Sequence, residues 1–319
     1  MMNYTRILAT GSYLPEKVLT NFDLEKIVDT SDEWIKSRTG ISSRRIAGEH
    51  ETAATMGSIA AHRALQMSGM ATNEIDLIIV ATSTPDHIFP STACSIQNEL
   101  GNKNAAAFDI SVACSGFVYA LSIADQYICT GKAKTALVIG SETFSRVIDW
   151  KDRSTCVLFG DGAGAVLLGV ANEPGIIDTN LYSMGEYGDI LVLPNAGLGI
   201  DPLPKKMTMR GREVFKLAVN HFSNLVVDTL AKSNILLDDL NWLIPHQANI
   251  RIIELLAKKL TFPIEQMVIT LSEQGNTSAA TIPLALDEAV RDGRIQHGQL
   301  LMLAAFGGGI TWASALIKY

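Results

Sequence analysis

The chain predicts an α/β fold built twice from one unit, and three observations predict it. Apolar, strand-like runs alternate with amphipathic helical stretches, the pattern of layered α/β proteins. Two stretches align without a gap at an offset of 165: His62–Ile79, "HRALQMSGMATNEIDLII", and Val227–Ile244, "VDTLAKSNILLDDLNWLI". A second pair aligns from Cys114, "CSGFVYALSIADQYICTGKAKTALVIG", and from Asn276, "NTSAATIPLALDEAVRDGRIQHGQLLMLAAFG". Two copies of one α/β unit, about 1–172 and 173–319, account for this self-similarity; a chance match of common α/β rhythm is the alternative.

Taken in order, each member of the first pair reads as a helix, a Ser-Gly or Ser-Asn stop, an acidic turn and a buried strand. In the second pair, Phe108 to Ala113 reads as the end of a strand. Phe117, Leu121, Ala124 and Ile128 then recur at helical spacing. Both members stop at a glycine seventeen residues on, Gly131 and Gly293, and resume as apolar strands, Ala136–Gly140 and Leu300–Ala305. The glycine clusters of "GDGAGAVLLGV" (160–170) and "FGGGITWASALI" (306–317) are followed by β-type runs. A dinucleotide loop must open a helix, so both read as tight turns between strands. The second remains of interest, because bare glycine turns let backbone N–H groups approach a ligand.

The chain of 319 residues has ample length for a buried core. Charged residues make up 18%, below the usual share of about 25%, which leans towards a buried subunit interface. A net charge of −7 gives no support for nucleic-acid binding, so an anionic partner has to meet a local basic patch. Met1 to Gly11 lacks the apolar core of a signal peptide, and no run approaches the ~18 apolar residues of a membrane span. Cys94, Cys114, Cys129 and Cys156 show neither CxxC spacing nor clustered histidines. The expectation is a cytoplasmic protein with reduced thiols, no metal, no membrane and no nucleic acid.

In doubly wound α/β units function collects beyond the carboxyl ends of strands and at helix N-termini. The repeat places Cys114 and Asn276 at equivalent helix starts, and His246 ends the strand of "LNWLIPHQAN". A helix N-terminus favours thiolate and lowers a cysteine pKa, which suits Cys114 as a nucleophile. Each residue also has a plain structural role open to it: a packed thiol, a helix cap for Asn276, a satisfied loop histidine for His246. The other cysteines read as core: Cys94 inside a helix, Cys129 at a helix end and Cys156 in a β-like run. His50, His62, His87, His221 and His297 show no partner pattern.

The motifs "ACSGF", "PHQAN", "GNTSAA" and "AFGGGITW", with "TSDEWIKSRTGI" and "GDGAGA", run end to end and resemble the β-ketoacyl-acyl-carrier-protein synthase III family. The resemblance implies the five-layer αβαβα thiolase fold and a homodimer. It implies an acyltransferase that initiates fatty-acid synthesis without a cofactor. A short acyl-CoA such as acetyl-CoA acylates the cysteine, and malonyl-acyl-carrier protein then condenses with loss of carbon dioxide. Cys114, His246 and Asn276 match the catalytic motif. The histidine ring N–H and the asparagine amide would donate to the enolate oxygen, and the N–H groups of Cys114 and Gly308 would hold the oxyanion on the acyl group.

By the same resemblance Trp34 and Arg153 flank the adenine of coenzyme A, with Thr30, Arg38, Gly211 and Asn249 lining the rest. Phe89 closes the partner's acyl pocket and Phe306 lines the catalytic cavity. An acidic carrier protein needs a basic face, expected at Gln247, Ala248, Asn249, Ile250 and Arg251 with Lys258 and Lys259 on one helix. Lys216 is expected to join it from the cluster Lys205, Lys206, Arg210, Arg212 and Lys216, which otherwise reads as a solvated face. A cysteine hydrolase also uses Cys, His and Asn in this order, but its glycine and aromatic context around the cysteine is absent. Type III polyketide synthases are nearer competitors. A biosynthetic thiolase would want a second cysteine near the C-terminal glycines, and an acyl-binding scaffold would show no acylation.

Overall fold

The computed structural model describes residues 3–195 and 206–319; Lys205 of the expected basic cluster lies outside them. The first sheet gathers β1 (Tyr4–Tyr13), β4 (Leu77–Ala81), β5 (Ala106–Ile110), β6 (Thr135–Thr143) and β7 (Asp161–Ala171) in the order β1-β7-β6-β4-β5. Helices α3 (Ala53–Ser68), α4 (Thr92–Glu99) and α5 (Gly116–Cys129) connect these strands. A small cap precedes α3: β2 (Val18–Thr20), α1 (Asn21–Leu24), α2 (Asp32–Thr39) and β3 (Ser43–Arg45). α6 (Arg153–Cys156) lies between β6 and β7.

The second sheet begins with β8 (Ile176–Ser183) and continues, after a ribbon of β9 (Leu191–Val192) and β10 (Thr208–Met209), with β11 (Trp242–Pro245), β12 (Leu300–Gly307) and β13 (Thr311–Lys318). Its helices are α7 (Gly211–Lys232), α8 (Ile250–Leu260), α9 (Leu271–Gln274) and α10 (Thr281–Arg291). Its order, β8-β13-β12-β11, repeats the first four places of the other sheet, and a parallel bridge from Leu243 to Met267 stands in the fifth.

Side chains alternate across a strand, and that alternation builds the layers. On β4, Leu77, Ile79 and Ala81 face the central core while Ile78 and Val80 face α3 and α4. On β12, Leu301, Leu303 and Ala305 face the same central core while Met302, Ala304 and Phe306 face α7 and α8. The central core holds Phe117, Leu121, Ala124 and Ile128 of α5 with Ile282, Ala285 and Ala289 of α10. Five layers result: helices, sheet, the α5–α10 pair, sheet, helices. This is the αβαβα arrangement.

Two sequence expectations change here. "GDGAGA" is not a turn, because its Gly162 and Gly164 lie inside β7, where α10 crosses the sheet closely. A Cβ on Gly164 would sit 2.7 Å from the Leu284 backbone nitrogen. Cys156 closes helix α6 rather than sitting in a strand, and it is buried as expected of core. Arg44 is wholly buried and donates to the Leu19 and Val157 carbonyls and the Asn21 side chain, fastening the cap to α6.

Candidate active site

One cavity of about 800 Å³ runs from the cap into the ends of both sheets. Cys114, His246 and Asn276 all line it. Cys114 arrives on a tight turn after β5. Ala113 takes a φ of 44°, a strained value for a residue with a Cβ, and α5 starts three residues later at Gly116. His246 follows directly on β11, with its N–H bonded to the Ala304 carbonyl. Asn276 is stitched to the segment before β7: its N–H donates to Leu158 O and its carbonyl accepts from Gly160 N. It lies before α10, which starts at Thr281, so neither Cys114 nor Asn276 is itself the helix cap.

The chemistry of each side chain follows from its partners. The Asn276 Oδ1 accepts the Ser278 N–H at 2.9 Å, which turns the amide NH₂ end to the cavity as a donor. His246 is buried, and desolvation pushes its pKa down to about 3, so the ring is neutral. Its Nδ1 lies 2.7 Å from the Thr281 hydroxyl, which also reaches the Ser278 carbonyl at 2.9 Å. The Thr281 hydroxyl has one proton to give: spent on the Ser278 carbonyl it leaves the ring proton on Nδ1, and turned to Nδ1 it puts that proton on Nε2, the tautomer that can donate to a ligand oxygen.

Cys114 departs from the sequence expectation. Burial pushes its thiol up to about 12, with the nearby Glu142 charge adding to the rise and a bond to Ser278 opposing it. Cys114 as a residue is only 7% exposed, so losing water outweighs what a helix end returns to the thiol. Its Sγ donates to the Ser278 hydroxyl at 3.5 Å.

Gly307 was missed in the sequence. A Cβ there would lie 2.7 Å from the Cys114 nitrogen, so only glycine lets β12 close on the thiol. The Gly308 N–H beside it has no backbone acceptor among the described residues, which leaves it available to an oxyanion. Ser278, with a φ of 51°, and Thr281 were missed as well; the run "NTSAAT" carried no separate signal for them.

Trp34, Arg38, Arg153, Gly211, Asn249 and Phe306 line the cavity, as expected. Thr30 does not; it sits between Asp29, whose carbonyl takes Arg153, and the Ser31 cap of α2. The Arg153 guanidinium stacks over the Trp34 ring at 4.8 Å. An adenine between them would require the guanidinium to move aside. The Asn249 side chain caps α8 and donates to the Arg38 carbonyl.

The expected carrier face loses Gln247. It is buried, and its amide bonds Pro245, Val268 and Thr270 backbone groups, holding the histidine loop instead. Ile250 is half-buried against Gly40, and Ala248 lines the cavity. Arg251, Lys258 and Lys259 are exposed on α8 and Lys216 on α7. Arg251 lies over the Phe215 ring, while Lys259 donates to the Val219 carbonyl. Arg210 is paired with Asp189 and Glu213, and Lys206 with the Arg146 carbonyl, so that cluster is partly neutralised. Phe89 is 85% exposed and does not line this chain's own cavity.

A five-layer α/β fold with a cysteine, a neutral histidine and an asparagine amide at one cavity defines a condensing enzyme of the acyltransferase type. Models of the 3-oxoacyl-[acyl-carrier-protein] synthase III family match residues 108–185, and those of its C-terminal part match residues 230–319. The β-ketoacyl-[acyl-carrier-protein] synthase III of Aliivibrio fischeri is 58% identical over 99% of this chain and 100% of its own length. Synthase III 1 of Vibrio vulnificus is 59% identical over the same shares. Among solved structures, the 3-oxoacyl-[acyl-carrier-protein] synthase III of Aquifex aeolicus superposes with a TM-score of 0.94 at 50% identity, covering 99% of this chain and 100% of that one. The priming β-ketosynthase of the R1128 polyketide pathway gives 0.95 at 36%, covering 99% and 96%. The chain belongs to the β-ketoacyl-acyl-carrier-protein synthase III family.

Proposed function

We propose that Cys114, His246 and Asn276 carry out the decarboxylative condensation of a short acyl-CoA, acetyl-CoA first among them, with malonyl-acyl-carrier protein, the step that initiates fatty-acid synthesis. The observation that carries this reading is the convergence of the three side chains on one cavity, with the Asn276 Oδ1 and the His246 Nδ1 each engaged, by Ser278 and Thr281 respectively. Cys114 takes the acyl group. Loss of carbon dioxide from the malonyl group leaves an enolate, whose oxygen receives the His246 Nε2–H and the Asn276 amide. The enolate carbon then attacks acyl-Cys114 while the Cys114 and Gly308 N–H groups hold the second oxyanion. The chemistry needs only the thioesters themselves, and no cofactor is invoked.

Coenzyme A is read into the mouth lined by Trp34, Arg38, Arg153, Gly211 and Asn249, whose ring and guanidinium groups suit a base and phosphates. Carrier protein is read onto Arg251, Lys258, Lys259 and Lys216. Residues 1–172 and 173–319 are read as the two duplicated halves, supported by the repeated strand order. A homodimer is supported by the exposed Ile88 and Phe89, of which Phe89 would close a partner's acyl pocket. No helix among the described residues is long and apolar enough to cross a membrane, and the four cysteines there are unpaired, which suits a cytoplasmic setting.

The test is intact mass after mixing with a panel of acyl-CoAs, followed by labelled carbon dioxide release from malonyl-carrier protein. An acetyl group mapped to Cys114 and a β-ketoacyl product support the reading. Free acid in place of a new carbon–carbon bond would indicate a hydrolase, and malonyl-CoA serving equally well as extender would favour a polyketide synthase.

A further inference from the structure

The reading of Cys114 as the acyl acceptor leaves its proton without a destination. The thiol is buried and held neutral, and the neutral His246 is occupied at Nδ1 by Thr281. One other buried ionisable group stands close. Glu142, on β6, has no exposed surface and no part in the chemistry described above. Its Oε2 accepts from the Thr84 hydroxyl at 2.6 Å, the Ser83 N–H at 3.0 Å and the Thr82 hydroxyl at 3.4 Å. Its Oε1 is buried without a hydrogen bond of its own.

Strand β6 and the turn at 278–280 nearly touch: a Cβ on Gly140 would lie 2.4 Å from the Ala279 carbonyl oxygen. That contact brings Ser278 between the two groups. The Cys114 Sγ–H donates to Ser278 Oγ at 3.5 Å, and the Ser278 hydroxyl and Ala279 N–H lie near enough to Glu142 to favour its ionised form, although neither makes a formed hydrogen bond to Oε1.

We propose that Ser278 and Glu142 form a proton relay for Cys114, with Glu142 as the terminal base. This inference rests on Cys114 being the acyl acceptor. In acylation the S–H bond of Cys114 breaks and its proton passes to Ser278 Oγ, while the Ser278 hydroxyl proton passes to the Glu142 carboxylate. The thiolate attacks the acyl-CoA carbonyl carbon, the C–S bond to coenzyme A breaks, and the departing thiolate takes a proton from solvent. Condensation later expels Cys114 as thiolate, and Glu142 returns the proton through Ser278. The solvent proton is the one that the overall reaction consumes when a malonyl carboxylate leaves as carbon dioxide.

The charges are arranged for this. Each negative group opposes the other, so the pair favours one shared charge. Burial lifts Glu142 to about 7, where a carboxylate can accept and return a proton near neutrality. Ionisable groups on the elements packed against β6 include Cys114 before α5, Asp125 on α5, His62 and Arg63 on α3, Asp287 on α10, and Asp161 on β7, which accepts from Ser145 and Ala47. Beyond the 82–84 segment is Asp86, which accepts from Thr52 and the start of α3.

The experiment follows acetyl-Cys114 formation from acetyl-CoA by quenched-flow intact mass between pH 5.5 and 9. The native protein should acylate faster as pH rises through an inflection near 7. In Glu142→Gln the inflection should vanish, with the rate at pH 7 lower by about 10²-fold or more. Ser278→Gly, in which glycine keeps the φ of 51° without the hydroxyl, should behave alike. Thermal melts and near-ultraviolet circular dichroism report whether each variant is folded. Folded Glu142→Gln with the native rate and profile overturns the relay; if that variant does not fold, an unchanged profile in Ser278→Gly overturns it. A native protein that never carries acetyl on Cys114 overturns the nucleophile assignment and the relay together.

Discussion

At the scale of single residues, His246 and Cys114 are both held neutral by burial, and the two halves of the reaction separate accordingly. Cys114→Ala should abolish acyl transfer from acetyl-CoA yet leave malonyl decarboxylation measurable, because its oxyanion donors remain. Asn276→Ala should still accept acetyl on Cys114 but lose carbon dioxide release by roughly 10²–10³-fold, the usual loss for one oxyanion donor. Paired mass and labelled carbon dioxide assays check both, and full decarboxylation by Asn276→Ala would remove it from the enolate site. His246 also makes a stability statement. Its folded pKa, about 3, lies below the ordinary value of 6.5, so between these limits the unfolded chain binds the extra proton. Its contribution is therefore present above pH 6.5 and lost as pH falls towards 3. Denaturation midpoints of the native protein and His246→Asn should converge or cross as pH drops through that window; a constant gap would count against a buried neutral ring.

At the scale of elements, close approach and charge set the outcomes. Gly164 lets α10 lie against β7, and a Cβ there would sit 2.7 Å from backbone. Gly164→Ala should destabilise the fold by about 1–3 kcal/mol, the usual cost of overpacking, read from the urea midpoint. Helix α8 turns Ile252, Ile253, Leu256 and Leu260 into the core, leaving Arg251, Lys258 and Lys259 to solvent. Arg251→Glu should raise KM for malonyl-carrier protein while leaving the melt unchanged. The effect should fade at high salt, since exposed charges are screened over about 8–10 Å at ordinary ionic strength. An unchanged KM at low salt would take Arg251 off the docking face.

At the scale of the whole molecule, the two sheets and the α5–α10 layer form a continuous core, while Ile88 at 72% and Phe89 at 85% exposure stand out of it. Large apolar side chains so exposed call for a covering surface. Sedimentation should give a dimer for the native chain, and Ile88→Asp should shift it towards monomer. Phe89→Ala should instead keep the dimer and alter the range of acyl-CoA chains loaded on Cys114. A monomeric native protein would leave Phe89 without its role.

The sequence by itself determined the layered α/β class, the repeat and the three residues of the cavity. Strand and helix periods are local, and Cys114, His246 and Asn276 sit at the junctions where those periods break. What tertiary structure decided lies between segments far apart in the chain. The thiol of Cys114 reads as activated from its helix alone, whereas β12 and the 278–280 turn cover it and burial raises its pKa. Gln247 reads as a surface neighbour of His246, but its amide is spent on backbone from Val268 and Thr270. Glu142 carries no motif at all; its place beside Ser278 exists only because one glycine on β6 admits the Ala279 carbonyl. Desolvation depends on everything packed around a group, and no local pattern of residues encodes that sum.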